Sequence, residues 1–140
     1  MSRIFWDTNL FIYFLEGNQK FSPLTKELRR KMLMRGDQLL TSTFTMGEVL
    51  VKPLEQYDMV LCRQYQDTIT KAALLVPFDV RAAWSYADIR RDRSFRAPDA
   101  IQLACAASVG VDLFVTNDQR LQGKHVPGVQ FITSIDRVPI

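Results

Sequence analysis

This sequence predicts an α/β fold in which a parallel β-sheet is flanked by helices on both faces. Short apolar segments rich in Val, Leu, Ile and Phe alternate with stretches of helical periodicity along the whole chain. No internal repeat, low-complexity tract or linker interrupts that alternation. At 140 residues the chain has the length of one domain that buries a real core, so residues 1–140 are read as a single unit.

Arg3-Ile4-Phe5-Trp6 reads as the first strand and runs straight into Asp7-Thr8-Asn9. Leu10, Phe11, Phe14 and Leu15 then recur at helical spacing until Gly17-Asn18 stops the helix. Ser22-Pro23 opens a second helix through Leu24, Leu28 and Met32, closed by Gly36-Asp37. Gln38 to Ser42 is the second strand. Thr43 to about Lys52 is a helix that Pro53 ends. A longer helix from about Glu55 to Thr70 carries Tyr57, Leu61, Tyr65 and Ile69 near one face. Leu74 to Pro77 is the third strand, and Asp79 to about Arg93 a helix through Val80, Ala83, Trp84 and Ala87. Pro98 begins an almost wholly apolar helix, Ala100 to Val109, terminated by Gly110. Asp112 to Thr116 is the fourth strand, a short helix follows Asp118, and Val129 to Ile132 is the last strand.

Composition narrows the function classes. The hydrophobic fraction is 47% and the charged fraction 24%, both ordinary for a globular protein. No apolar run approaches the roughly 18 residues of a membrane span. The N-terminus lacks a basic region followed by an apolar one, so no signal peptide is expected. Cys62 and Cys105 lie in helical stretches without metal-ligand spacing. They read as buried thiols, which favours a cytoplasmic protein. A net charge of +3 and a pI near 9.0 are compatible with a polyanionic partner.

Four acidic residues, Asp7, Glu48, Asp99 and Asp118, are the chemical candidates. Ligands of open parallel sheets bind just beyond the carboxyl ends of the strands. Asp7 follows the first strand and Asp118 the fourth, so both fall on that rim. Asp99 sits in the first turn of the helix leading into the fourth strand, and Glu48 in the helix after the second. Gathered together, four carboxylates repel one another unless a cation joins them. Each also has an ordinary structural reading. Asp7 and Asp118 are favoured helix N-caps, and Asp99 after Pro98 complements a helix dipole. Thr45-Met46-Gly47-Glu48 matches a capping box. At about 100° per residue, however, Glu48 shares a sector with Phe44 and Val51, an apolar face where an unpaired carboxylate is costly. Gly47 beside it permits close approach of a backbone or ligand. Magnesium or manganese suits such oxygen donors, lowers the pKa of bound water and clamps a phosphate. The single histidine, His125, lies in the loop Gly123-Lys124-His125-Val126-Pro127 and reads as an exposed turn residue.

Asp7-Thr8-Asn9, Gly47-Glu48-Val49, Pro98-Asp99-Ala100-Ile101-Gln102-Leu103-Ala104 and Thr116-Asn117-Asp118 resemble, in order and separation, the four signature segments of the PIN-domain family. The resemblance spans essentially the whole chain. The compact length is similar to that of VapC-type toxins of bacterial toxin–antitoxin pairs. The resemblance implies a metal-dependent endoribonuclease in which Asp7, Glu48, Asp99 and Asp118 bind Mg2+ or Mn2+. It implies that Thr8, Asn9 and Thr116 orient water or carboxylates, that the protein is a homodimer, and that a cognate antitoxin blocks the site.

Arg90, Arg91, Arg93 and Arg96 crowd the segment before Asp99. They are either a solvated helix end or contacts for an RNA backbone. Arg29, Arg30, Lys31 and Arg35 read as a solvated helix face or a seat for an acidic antitoxin tail. Phe11, Phe14, Trp84 and Tyr86 could stack on bases, with core or dimer packing the default. Two rival functions remain. One is a non-catalytic PIN-like RNA-binding module. The other is a receiver-type phosphoacceptor domain, which typically carries an adjacent acidic pair after the first strand where this chain has one acid.

Overall fold

Strands buried on both faces need helices above and below, and the chain supplies them in alternation. In the computed structural model, which describes residues 1–140, five strands form one sheet: β1 (Arg3–Trp6), β2 (Gln38–Ser42), β3 (Leu74–Val76), β4 (Val111–Val115) and β5 (Val129–Thr133). The order is β3-β2-β1-β4-β5 and every pairing is parallel. Six helices cover the sheet: α1 (Thr8–Glu16), α2 (Ser22–Arg35), α3 (Thr43–Glu55), α4 (Met59–Ala72), α5 (Val80–Ile89) and α6 (Ala97–Val109). Short 3-10 turns occupy Gln119–Leu121 and Ile135–Arg137.

Side chains alternate across the sheet and so divide the core into two halves. Phe5, Leu40 and Phe114 point to one face, against Ala100, Leu103 and Ala104 of α6 and Ala82 and Ile89 of α5. Ile4, Trp6, Leu39, Leu113 and Val115 point to the other, against Leu10 and Phe11 of α1, Leu28 and Met32 of α2, and Ile69 of α4. Phe5 and Phe114 stack across β1 and β4 with centroids 5.2 Å apart. Truncating either ring to alanine costs about 3–5 kcal/mol by the usual scale for buried aromatics.

The chain lays β1, β2 and β3 outward in one direction, then returns to place β4 against the other side of β1. The gap between the carboxyl ends of β1 and β4 is therefore a topological switch point, where open α/β sheets bind ligands. This order also differs from the 2-1-3-4-5 arrangement of flavodoxin-like and receiver folds, which removes the phosphoacceptor reading.

Several helix boundaries and faces depart from expectation. Pro53 lies inside α3 instead of ending it; the helix forgoes one backbone bond there and runs only two residues further, to Glu55. The following helix starts at Met59, not near Glu55. Tyr57 adopts a left-handed φ of 53°, and the Asp58 carboxylate caps the new helix by accepting from the Leu61 backbone N–H. α5 stops at Ile89, and residues 90–95 form turns and bends. Its inward residues are Ala82 and Ile89, so Val80, Ala83, Trp84 and Ala87 face solvent. Both cysteines are buried free thiols, as their placement in helices suggested. No helix is long and apolar enough to cross a membrane.

Candidate active site at the strand switch point

β1 ends at Trp6, and the next residue, Asp7, continues the sheet by donating its backbone N–H to the Val115 carbonyl at 3.0 Å. Its side chain is then held from two sides. Asp7 Oδ1 accepts from the Thr8 backbone N–H at 2.8 Å, and Oδ2 accepts from Thr116 Oγ1 at 2.7 Å. Asp7 is thus the N-cap of α1 and also a buried carboxylate at the switch point. The cap and the site turn out to be one arrangement.

Glu48 reaches the same place from α3. Its Oε1 accepts from Thr8 Oγ1 at 2.5 Å. The buried stripe of α3 is Thr45, Val49 and Pro53, while Val51 is 53% exposed, so Glu48 lies at the edge of the apolar face and not within it. The capping box does not form, because Ser42 is the N-cap and accepts from the Thr45 backbone N–H. Gly47 has open space beside it, with no backbone of this chain close by.

Asp99 occupies the first turn of α6, and Asp118 caps the 3-10 turn after β4. Arg120 joins them. Its Nε donates to Asp118 Oδ1 at 2.9 Å, its Nη2 donates to Asp118 Oδ2, and the same Nη2 lies 3.8 Å from Asp99 Oδ2. As placed, the four acids are two linked pairs and not a closed cage. No three of the chain's His, Cys, Asp or Glu side chains are gathered tightly enough to hold one ion.

The pairs nevertheless feel each other's charge. Burial pushes the Asp7 carboxyl up to about 6, against the lowering effect of its bonds from Thr116 and Thr8, and the charges of Asp99 and Glu48 push in the same direction. Asp99 is also raised, by burial first and then by the charge of Asp118. Asp118 is lowered, because the Arg120 guanidinium donates to its ionised form. Neither Asp7 nor Glu48 takes part in any ion pair. A buried carboxylate without a cationic partner, with the carboxylates of Glu48 and Asp99 near enough to raise it, suits a hard divalent cation such as Mg2+ or Mn2+ that prefers carboxylate oxygen.

Under the pair from β1 and α3 lies a polar hub that the sequence reading had not singled out. Gln102 of α6 is fully enclosed. Its Nε2 donates to Thr8 Oγ1 at 2.8 Å, to Thr45 Oγ1 at 2.7 Å and, more weakly, towards Asp7 Oδ1 at 3.3 Å. Its Oε1 accepts from Ser42 Oγ. Thr41 Oγ1 extends the hub by donating to Thr45 Oγ1 at 2.8 Å. One amide therefore ties α1, α3, β2 and α6 together behind Asp7 and Glu48. The available signal was a glutamine inside an otherwise apolar helix, a polar group that must find partners. Arg120 was missed too, its only signal being a cation two residues beyond Asp118.

Thr116 joins Asp7 to Asp118, donating its hydroxyl to Asp7 and accepting from the Asp118 backbone N–H at 3.1 Å. Asn9 is looser, with Nδ2 at 3.5 Å from Thr116 Oγ1 and Oδ1 accepting from the Asn117 backbone N–H at 3.4 Å. The arginines before α6 separate. Arg90 packs on the Tyr86 ring and donates to its hydroxyl, and Arg91 pairs with Asp88. Arg93 and Arg96 are exposed, and only the charge of Arg96 is felt by Asp99 and Asp118. In the second basic cluster Arg30 pairs with Glu27, Arg35 with Asp37, and Arg29 donates to the Ala72 carbonyl at the end of α4. Phe11 and Phe14 pack on Trp6, whereas Trp84 is 77% exposed. His125 is exposed in its loop.

The sequence profile of the PIN domain matches residues 4–125, which covers β1 through the loop after Asp118 and all four acids. The chain belongs to the PIN-domain family. As a PIN domain it superposes on several solved toxin–antitoxin structures. VapBC2 from Rickettsia felis, bound to a DNA fragment from its promoter, is 12% identical over 94% of this chain and 98% of that one, with a TM-score of 0.70. DNA-bound VapBC from Salmonella typhimurium is 16% identical over 96% and 99%, with a TM-score of 0.68. VapBC-5 from Mycobacterium tuberculosis is 20% identical over 94% and 98%, with a TM-score of 0.62. At such identities the likeness is one of fold. No curated protein matches the sequence.

Proposed function

We propose that this PIN domain is a metal-dependent endoribonuclease and the toxin of a toxin–antitoxin pair. The observation that carries the reading is Asp7, a buried carboxylate at the switch point of the sheet with no cation of its own and acidic neighbours on both sides. Asp7 and Glu48 would hold the ion from β1 and α3, with Asp99 and Asp118 closing it from α6 and the turn after β4. When bound, Mg2+ or Mn2+ supplies neutralisation of the phosphate charge and acidification of water.

The chain's own residues set the geometry. Thr116 and the Thr8 backbone N–H fix the two oxygens of Asp7, and Thr8 Oγ1 fixes Glu48. Gln102 holds Thr8 in turn, so the carboxylates are oriented before any ligand arrives. Arg96, exposed at the start of α6, offers a guanidinium to the RNA backbone beside the acids. In the reaction, water attacks the phosphorus in line and the P–O bond to the leaving oxygen breaks. That oxygen takes up a proton, while the attacking water gives one up.

Solved relatives of the same fold are VapB–VapC complexes, which supports an antitoxin partner for this chain. The solvent-facing stripe of Val80, Ala83, Trp84 and Ala87 on α5 supports a homodimer joined through that helix. Two free thiols suit a reducing cytoplasm. Incubating the purified protein with total cellular RNA in Mg2+ or Mn2+, with and without EDTA, and mapping the fragment ends tests the activity. Metal-dependent fragments of defined ends are expected. RNA that is bound but uncut would instead make this a non-catalytic binding module.

A further inference from the structure

Arg120 singles itself out by what it covers. Its guanidinium lies along the Asp118 carboxylate as a two-pronged fork, with Nε on Oδ1 at 2.9 Å and Nη2 on Oδ2, and the Arg120 backbone N–H adds a third bond to Oδ1 at 2.9 Å. Nη2 also stands 3.8 Å from Asp99 Oδ2. One cation thus bridges the two acids contributed by α6 and the turn after β4, while Asp7 and Glu48 have none. Both oxygens of Asp118 are engaged by this one residue, so a second cation would have to share the carboxylate with the guanidinium while the fork is in place.

The fork is also poised to leave. The Arg120 side chain is 49% exposed, against 17% for each carboxylate it bridges. The backbone beneath it is pinned by Leu121, which is buried in the core. The guanidinium can therefore turn into solvent by side-chain rotation alone, with the 3-10 turn staying in place.

We propose that Arg120 is a tethered counter-cation that occupies the Asp99–Asp118 half of the acidic site and competes with a divalent ion for it. The proposal rests on the reading of the four acids as a metal site. In the ion-free protein the guanidinium keeps Asp99 and Asp118 together despite their repulsion. Entry of a doubly charged ion favours opening of the fork, because a guanidinium beside a divalent cation adds repulsion. Arg120 thereby weakens the site for its ion and lets only sufficient metal complete it.

Mn2+ titration of the EDTA-stripped full chain without RNA, followed by electron paramagnetic resonance of free manganese, tests this in wild type, Arg120→Gln and Arg120→Lys. Arg120→Gln is expected to bind Mn2+ about two- to fivefold more tightly, the scale of losing a half-exposed ion pair. Arg120→Lys keeps the charge but cannot span both oxygens, so it too is expected to bind more tightly than wild type. It also carries the test if the glutamine variant fails to fold. Equal or weaker binding by both variants overturns the proposal. So does tightening in Arg120→Gln with Arg120→Lys unchanged, which reduces the effect to net charge. If the wild type binds Mn2+ and the variants bind it alike, only the role of Arg120 falls. If none of the three binds it, the metal reading falls as well.

Discussion

Asp7 combines two demands that usually exclude each other, a cap that needs its carboxylate ionised and a burial that resists the charge. Its carboxyl is raised from 3.8 to about 6, so in the ion-free protein the charged form opposes folding. A group raised in this way contributes stability that is complete below the unfolded value and is lost as pH rises through the folded one. Lowering the pH from 7 towards 5 should therefore raise the melting temperature of the metal-free protein. Asp118, Asp92 and Asp136, which are lowered, stay ionised over that range and do not offset the gain. Asp7→Asn should flatten the profile and stabilise the apo protein at pH 7 by about 1–3 kcal/mol. Thermal melts in EDTA across that range check both, and a wild-type melting temperature that drops as the pH is lowered from 7 to 5 contradicts them. Gln102 carries the converse prediction. Gln102→Leu fills similar space but strips partners from Ser42, Thr8 and Thr45, so a loss of about 2–3 kcal/mol in urea unfolding is expected. The four acids were legible because Asp7 and Asp118 follow apolar strands, Asp99 opens an apolar helix and Glu48 interrupts the helix after β2. Gln102 and Arg120 were not, since their roles depend on partners up to 95 residues away, as between Gln102 and Asp7, or on a turn geometry that spacing does not encode.

Strand positions were readable to within a residue, because nearly continuous runs such as Gln38–Ser42 and Val111–Val115 leave little choice of register. Helix faces were less so. The Val80, Ala83, Trp84 and Ala87 stripe has helical spacing, yet Ala82 and Ile89 face α6, because small side chains let the two helices approach closely. Periodicity gives a stripe but not which of two stripes is covered. Trp84→Glu should leave the stability of the isolated subunit within about 0.5 kcal/mol, the usual range for exposed positions. It should also convert the proposed dimer to monomer in sedimentation velocity. A dimer that persists excludes the α5 face as its seam. The approach of β5 to α6 is tighter. A Cβ on Gly128, whose φ is +96°, would stand 2.6 Å from the Ala107 carbonyl oxygen. Gly128→Ala is therefore expected to cost about 1–3 kcal/mol by chemical denaturation, from strain at that φ and the clash with α6 backbone.

Across the molecule, the sheet order converts four scattered acids into neighbours. Asp7 and Asp118 are 111 residues apart in the chain but flank one gap because β4 returns to the side of β1. The convergence stops short of a finished cage, with Thr8 linking one pair and Arg120 the other. A cation that draws the pairs together binds the folded state alone, so Mn2+ at about a hundredfold above its dissociation constant should stabilise the protein by roughly 2.7 kcal/mol. The measurement that bears most directly on the whole account is cleavage of a defined RNA by EDTA-stripped protein as Mn2+ is returned, with wild type and Asp99→Asn compared. The account predicts no cleavage in EDTA, recovery in the wild type that saturates with the ion, and an inactive but folded Asp99→Asn. Cleavage that persists in EDTA, or an Asp99→Asn protein as active as the wild type, would contradict it.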